Sequence, residues 1–261
     1  MAPYDVTGDQ YRIIDRRMIE IKRQLNQDGG SPLSPDFVAR QLQGIIEHAS
    51  VDASVPESQP TTSFSEAAAI MGPNFHSIFG ASKLLGLIGS AFYQTRPPEF
   101  VPYSPETLRK CRQTHVLIEC PPVSISELFL AFRELFEENS GISLLREAYA
   151  TDPIEPEWYL VRKEIYPGST SQSWDLQRSL LERHNLVTPT PNIVIYAIVI
   201  HYMATKEWLM LEFGGRTFEK NSNRLRISIS AHHDKGIRIR LVSDAIFYHD
   251  VGVCEAHIPE N

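Results

Sequence analysis

The stretch RLRISISAHHDKGIRIRLVS, residues 224–243, alternates apolar and polar side chains on both sides of a short break. A period of two is the signature of a half-buried β-strand, and Asp234-Lys235-Gly236 supplies a three-residue turn with glycine at the left-handed position. The segment therefore reads as a β-hairpin in which His233 pairs with Ile237, Ala231 with Ile239 and Ile229 with Leu241. Because strand side chains alternate, Ile227, Ile229, Ala231, Ile239 and Leu241 share one face. Arg224, Arg226, Arg238 and Arg240 share the other.

Upstream of the hairpin the pattern turns helical. Residues 193–204 (IVIYAIVIHYMA) are β-branched in part, but their length and Ala/Met content favour a buried helix. Residues 174–184 also read as a helix, and 158–165 (WYLVRKEI) and 116–120 as short strands. Ser124 and Glu127 have the S-x-x-E spacing of a capping box, with Ile125, Leu128, Phe129, Phe132, Leu135 and Phe136 on one face behind it. Helical segments start near Ser65 and again at Asn74, the second running to Tyr93 with Gly80, Gly86 and Gly89 along it. Near the N-terminus, Tyr11, Ile14, Met18, Ile21 and Leu25 repeat at spacings of three and four, a stripe suited to one partner helix. Ser34 and Pro35 open that partner, with Val38, Leu42, Ile45 and Ile46 on its face. Such a pair resembles a DNA-binding helix-turn-helix in outline, but only Arg40, Gln41 and Gln43 could read bases.

These readings divide the chain into a helical hairpin (1–48), a linker rich in Ser, Pro and Thr (49–63), a helical body with one or two short strands (64–206) and a β-rich unit (207–261). The fold class expected is α+β: a mainly helical body with a small C-terminal antiparallel β unit.

Composition narrows the function classes. The chain has 261 residues, 42% hydrophobic and 22% charged, with a net charge of -7, which fits a globular protein and not a disordered or disulfide-stapled one. Cys111, Cys120 and Cys254 make a poor disulfide framework. The opening MAPYDVTGDQYR lacks the pattern of a secretory signal. Residues 193–204 are too short to span a bilayer, and His76 and Lys83 interrupt 75–92, so the expectation is a cytoplasmic protein without a membrane span. Phosphate-loop, dinucleotide, zincin and nucleophile-elbow motifs are all missing from the sequence.

Two clusters can carry chemistry. Between Arg216 and Arg240 seven cations face two anions, a net of +5, so the rest of the chain sums to -12. Arg224, Arg226, Arg238 and Arg240 on one hairpin face would suit an acidic protein surface or another anion. Nucleic acid is less favoured, because only Phe218 offers a stacking ring nearby. The competing reading pairs these arginines with the chain's own acids, such as the Glu134–Glu138 region. If the face is free, replacing Arg226, Arg238 and Arg240 by Ser should leave stability unchanged. The second cluster is His249, Cys254 and His257, where Cys254-x-x-His257 has a chelating spacing. His232 and His233, being adjacent, point to opposite faces and cannot both join it. Within residues 193–204, His201 is either a base tuned by burial or a core histidine with one partner. Cys111 is flanked by Arg109, Lys110 and Arg112, the cationic setting a reactive thiol needs, though catalysis there is disfavoured.

YRIIDRRMIEIKRQL with GGSPLSPDFVARQLQ, WYLVRKEIYPGSTSQSW, IVIYAIVIHYMAT and the closing hairpin together resemble a set of uncharacterised bacterial proteins with a helical N-terminal part and a short β-rich C-terminal part. The resemblance implies that order of elements and a bacterial setting, and it implies no chemistry. The expectation is then a non-catalytic interaction protein that presents its basic hairpin face to an anionic partner and needs no cofactor. The alternatives are a metal-dependent enzyme built on His249, Cys254 and His257, and a nucleic-acid binder.

Overall fold

The computed structural model describes residues 61–80, 99–138, 147–154 and 156–257, together with Met18 and Ile21, which are helical and half-buried. The chain divides into two compact units, Met1–Glu57 and Ser58–Asn261. The helical pair expected over 1–48 thus lies outside the described residues, and the second unit is the subject here.

Its centre is the helix α6 (Pro191–Thr205). Pro191 at the first turn starts it, and Lys206 in the left-handed conformation ends it by donating its N–H to Tyr202 O. Every residue from Pro191 to His201 is buried. A helix apolar all round must be covered on all sides. Two β-sheets do this, with two further helices, α3 (Ile125–Ala131) and α4 (Ala148–Thr151), packed against α6 as well.

The first sheet has five strands in the order β2 (Phe75–His76), β4 (His115–Glu119), β5 (Trp158–Arg162), β11 (Ala256–His257) and β6 (Leu186–Val187). Only the β2–β4 pair is parallel. The second has four strands in the order β10 (Val251–Val253), β7 (Gly214–Lys220), β8 (Arg226–His232) and β9 (Gly236–Val242). A third, two-stranded piece joins β1 (Thr62–Ser63) to β3 (Phe100–Val101). Helices α1 (Phe64–Met71) and α2 (Pro105–Cys111) pack on each other beside it, and α5 (Trp174–Glu182) packs on β6 and β10.

This corrects the expected fold class. Eleven strands in three sheets among the described residues do not make a mainly helical body. Thr62 and Ser63 belong to β1 and not to a linker, and Phe75–His76 is a strand where a helix from Asn74 was expected. The capping box forms as read, with Ser124 Oγ accepting from Glu127 N and the Glu127 carboxylate accepting from Ser124 N. Yet α3 stops at Ala131, and Phe136 leaves to bridge Ile237. Strands of two or three residues carry too little pattern to show a period.

The hairpin forms with its register moved by two residues: Ala231 pairs with Ile237, Ile229 with Ile239 and Ile227 with Leu241. His232 and Gly236 close the ladder, and Gly236 holds a φ of +80°. A Cβ there would meet Leu135 O at 2.3 Å, so both conformation and space require glycine. A slip of two keeps every side chain on its expected face. Ile227, Ile229 and Ala231 join the core around α6. The opposite face is also covered, since Arg226, Ser228 and Ser230 are buried. Among the described residues no helix is long and apolar enough to cross a membrane.

Candidate metal centre

The last described strand ties the two sheets together. β10 lies parallel to β7 in one sheet, and two residues later β11 enters the other between β5 and β6. Glu255 sits in that crossing, fully inside the protein. Its carbonyl accepts from Arg162 N at 3.0 Å, which fixes the direction of its side chain towards the start of β4.

Residues from α2 and β4 meet it there. Ser104 caps α2 by accepting from Thr107 N, Pro105 occupies the first turn, and Leu108 and Cys111 form the buried side. The helix ends in a tight turn closed by Thr114 N donating to Cys111 O at 2.9 Å. That turn brings Cys111 and His115 back to one place, four residues apart. His257 arrives from β11, where its carbonyl accepts from the buried Tyr103 hydroxyl at 3.1 Å. The donor atoms of Cys111, His115 and His257 all lie within 4.8 Å of one another.

The distances within the group are short. Cys111 Sγ stands 3.5 Å from His257 Nε2. Glu255 Oε1 is 3.0 Å from His115 Nε2 and 3.6 Å from His257 Nε2, and Glu255 Oε2 accepts from Arg162 Nη1 at 3.3 Å. Thr114 Oγ1 is 2.8 Å from His115 Nδ1, which leaves Nε2 for the centre. Burial pushes the Glu255 carboxyl upward, but the hydrogen bond from His115 and the charges of His115, Arg162 and His257 outweigh it and hold it below the usual carboxylate range. The group is a buried anion surrounded by imidazoles, with a thiol at its edge. Cys111 and His115 are buried too, and only His257 is partly open to solvent.

A tetrahedral zinc ion, with bonds of about 2.0–2.3 Å, needs donors roughly 3.3–3.6 Å apart. The Cys111–His257 separation falls at that spacing before any metal enters. One thiolate and two imidazoles form a donor set that suits zinc, and Thr114 and Glu255 hold His115 in place, with Arg162 holding Glu255.

The expected sites come out differently. Of His249, Cys254 and His257 the structure brings only His257 to the cluster. His249 is exposed in a turn. Cys254 is fully buried, so close to Gly215 that a Cβ on that glycine would fall 2.3 Å from its sulfur. Burial pushes the Cys254 thiol far up, which makes it a core residue. The four arginines do not share a free face. Arg224 is exposed, off the strand, in a turn with a φ of +61°. Arg226 is buried with its guanidinium 3.5 Å from the Trp174 ring centroid. It donates to both Asp244 oxygens, at 2.7 and 3.1 Å, and to Thr217 O and Phe218 O. Arg238 pairs with Glu137 at 3.1 Å and Arg240 with Asp250 at 2.8 Å, which is the self-pairing alternative. Two of the three cations beside Cys111 are likewise met, Arg109 by Glu66 and Lys110 by Glu106.

Sequence reasoning missed His115 and Glu255 and left Cys111 without its partners. The usable signal was Cys111-x-x-x-His115, a chelating spacing of its own. His257 lies 146 residues from Cys111, and no local pattern reports that distance. No protein-family model, curated protein or solved structure matches the chain.

Proposed function

We propose that this protein binds a divalent transition metal, zinc by the character of the donors, through Cys111, His115 and His257, with the Glu255 carboxylate orienting His115 beside them. The observation that carries the reading is the convergence of three donor atoms from α2, β4 and β11 within 4.8 Å. The proposal departs from the expectation of no cofactor. It keeps the sequence idea that His257 is a ligand and replaces the other two members of that set.

The role supported best is structural. Cys111 and His115 are buried, as is Glu255 beside them, and only His257 is partly open, so the site offers a substrate little access. Bound there, the ion would fasten the C-terminal strand to the turn between α2 and β4. Ligation requires the thiolate and deprotonated imidazole nitrogens, so binding releases protons and weakens as pH falls. The arginine face is not carried forward as a partner site, because Arg226, Arg238 and Arg240 already meet carboxylates of this chain.

Metal analysis of protein purified without chelator is the test. One zinc per chain, removed by a strong chelator with a fall in melting temperature and restored on adding zinc back, is the expected result. Cys111→Ser and His257→Ala should each lose the metal. Protein that stays metal-free and melts at the same temperature with and without added zinc would overturn the proposal.

A further inference from the structure

A second feature lies away from the metal centre. A cavity of about 350 Å³ opens between α1, β2 and the end of α6, with walls that include Phe64, Ala68, Phe75, Phe79 and Ile200. That volume falls in the range that holds a small organic ligand. Its polar wall consists of His76 and Ser77.

His76 is not alone. Its Nε2 shares a 2.9 Å hydrogen bond with Nδ1 of His201, and the two rings meet edge to face at 5.1 Å. His201 is fully buried in α6, and its remaining nitrogen, Nε2, has no hydrogen-bond partner. The Glu207 carboxylate stands 3.9 Å from that nitrogen. Burial drives both imidazoles down to about 4, helped at His76 by His201 and then Lys163 and at His201 by Lys163, so the pair is neutral near pH 7.

A neutral pair has two possible proton arrangements. The carboxylate of Glu207 favours the one with a proton on His201 Nε2, pointing outward. His201 Nδ1 is then an acceptor, His76 Nε2–H donates to it, and His76 Nδ1 keeps a lone pair. Ser77 completes the wall: its Oγ accepts from Gly80 N at 3.0 Å, which leaves its own proton to give. One acceptor and one donor on the wall of the same apolar cavity match a hydroxyl group, which both donates and accepts.

We propose that this cavity binds an uncharged, mainly apolar small molecule bearing one hydroxyl, read by His76 as acceptor and Ser77 as donor. A carboxylate is a poor fit, because it would turn its charge on the His76 lone pair inside an apolar wall. A hydrocarbon of the same shape would leave both polar groups unpaired. His201 and Glu207 act through His76 by fixing which nitrogen is protonated, and they touch no ligand.

Three probes of one shape decide it: 4-ethylphenol, 4-ethylanisole, which cannot donate, and 4-ethylbenzoate, each titrated calorimetrically into the full chain at pH 7.5. The phenol should bind at least about tenfold more tightly than either of the others. In nitrogen-resolved NMR it should shift the His76 Nδ1 resonance and leave His201 Nε2 nearly in place. His76→Phe should abolish the preference while keeping weak anisole binding, and Glu207→Gln should reduce it without touching the cavity. No binding by any probe, equal affinity for phenol and anisole, or tightest binding by the benzoate would each overturn the proposal. The wild-type comparison alone decides the matter if a variant fails to fold.

Discussion

Arg226 shows how an arginine read as surface can be part of the interior. Its guanidinium stacks on Trp174, meets Asp244 with two hydrogen bonds and closes two carbonyls of β7. Removing it leaves Asp244 to Lys220 at 2.8 Å, but it takes the donor from Thr217 O and Phe218 O and empties the space over Trp174, at a cost of about 1–3 kcal/mol. Arg226→Ser should therefore lower stability by that order in chemical denaturation. Arg238→Ser and Arg240→Ser remove more exposed pairs and should each cost less than about 1 kcal/mol. Equal, negligible effects at all three would restore the view of a free cationic face. The histidine pair makes a second prediction at this scale. Burial holds His76 and His201 down to about 4 in the folded protein, below the ordinary histidine value of 6.5. Between those values the unfolded chain binds more protons, so stability is full above pH 6.5 and falls as pH drops towards 4. The loss is on the order of 3 kcal/mol for each histidine. Denaturation midpoints from pH 7.5 to 4.5 should trace it, and a His201→Phe variant that still folds should show a flatter profile. An unchanged profile in that variant would remove the pair as its cause.

Among the elements, α6 was the easiest to read and β11 the hardest. Fifteen residues of nearly unbroken apolar character can be only a buried helix or a strand, and length decides for the helix. Ile198 lies at its centre, fully buried. Ile198→Ala should cost about 2–5 kcal/mol, measured by denaturant unfolding, and a cost below 1 kcal/mol would mean that the helix is not clamped between the sheets. The hairpin was legible in its faces, because alternation sets them, but not in its register. The choice of turn residues moved by one position, and the pairing moved by two. β2, β6 and β11 were illegible for a physical reason. Each is two residues long and is held by neighbours distant in sequence, so nothing local marks it as strand. The candidate metal centre follows the same division. Cys111 and His115 share a turn and could be found by spacing, whereas Glu255 and His257 come into place only when β11 docks beside β5.

At the scale of the molecule, the chain's last described strands hold the rest together. β10 completes one sheet and β11 enters the other, so a short terminal stretch closes the layers on both sides of α6. A strand of two residues supplies few hydrogen bonds of its own, and the candidate ligands sit where extra fastening acts most directly. Binding energy at such a site adds to folding energy, since the unfolded chain does not assemble the ligands. The proposed metal centre joins Cys111, His115 and His257 with Glu255 beside them. Its most direct test is titration of the metal-free protein with cobalt(II), followed by absorption. The account predicts an intense thiolate-to-cobalt band in the near ultraviolet together with tetrahedral visible bands, saturating at one cobalt per chain. Both should be lost in Cys111→Ser and kept in Cys254→Ala. A spectrum without the thiolate band, or one lost with Cys254 and kept without Cys111, would contradict it.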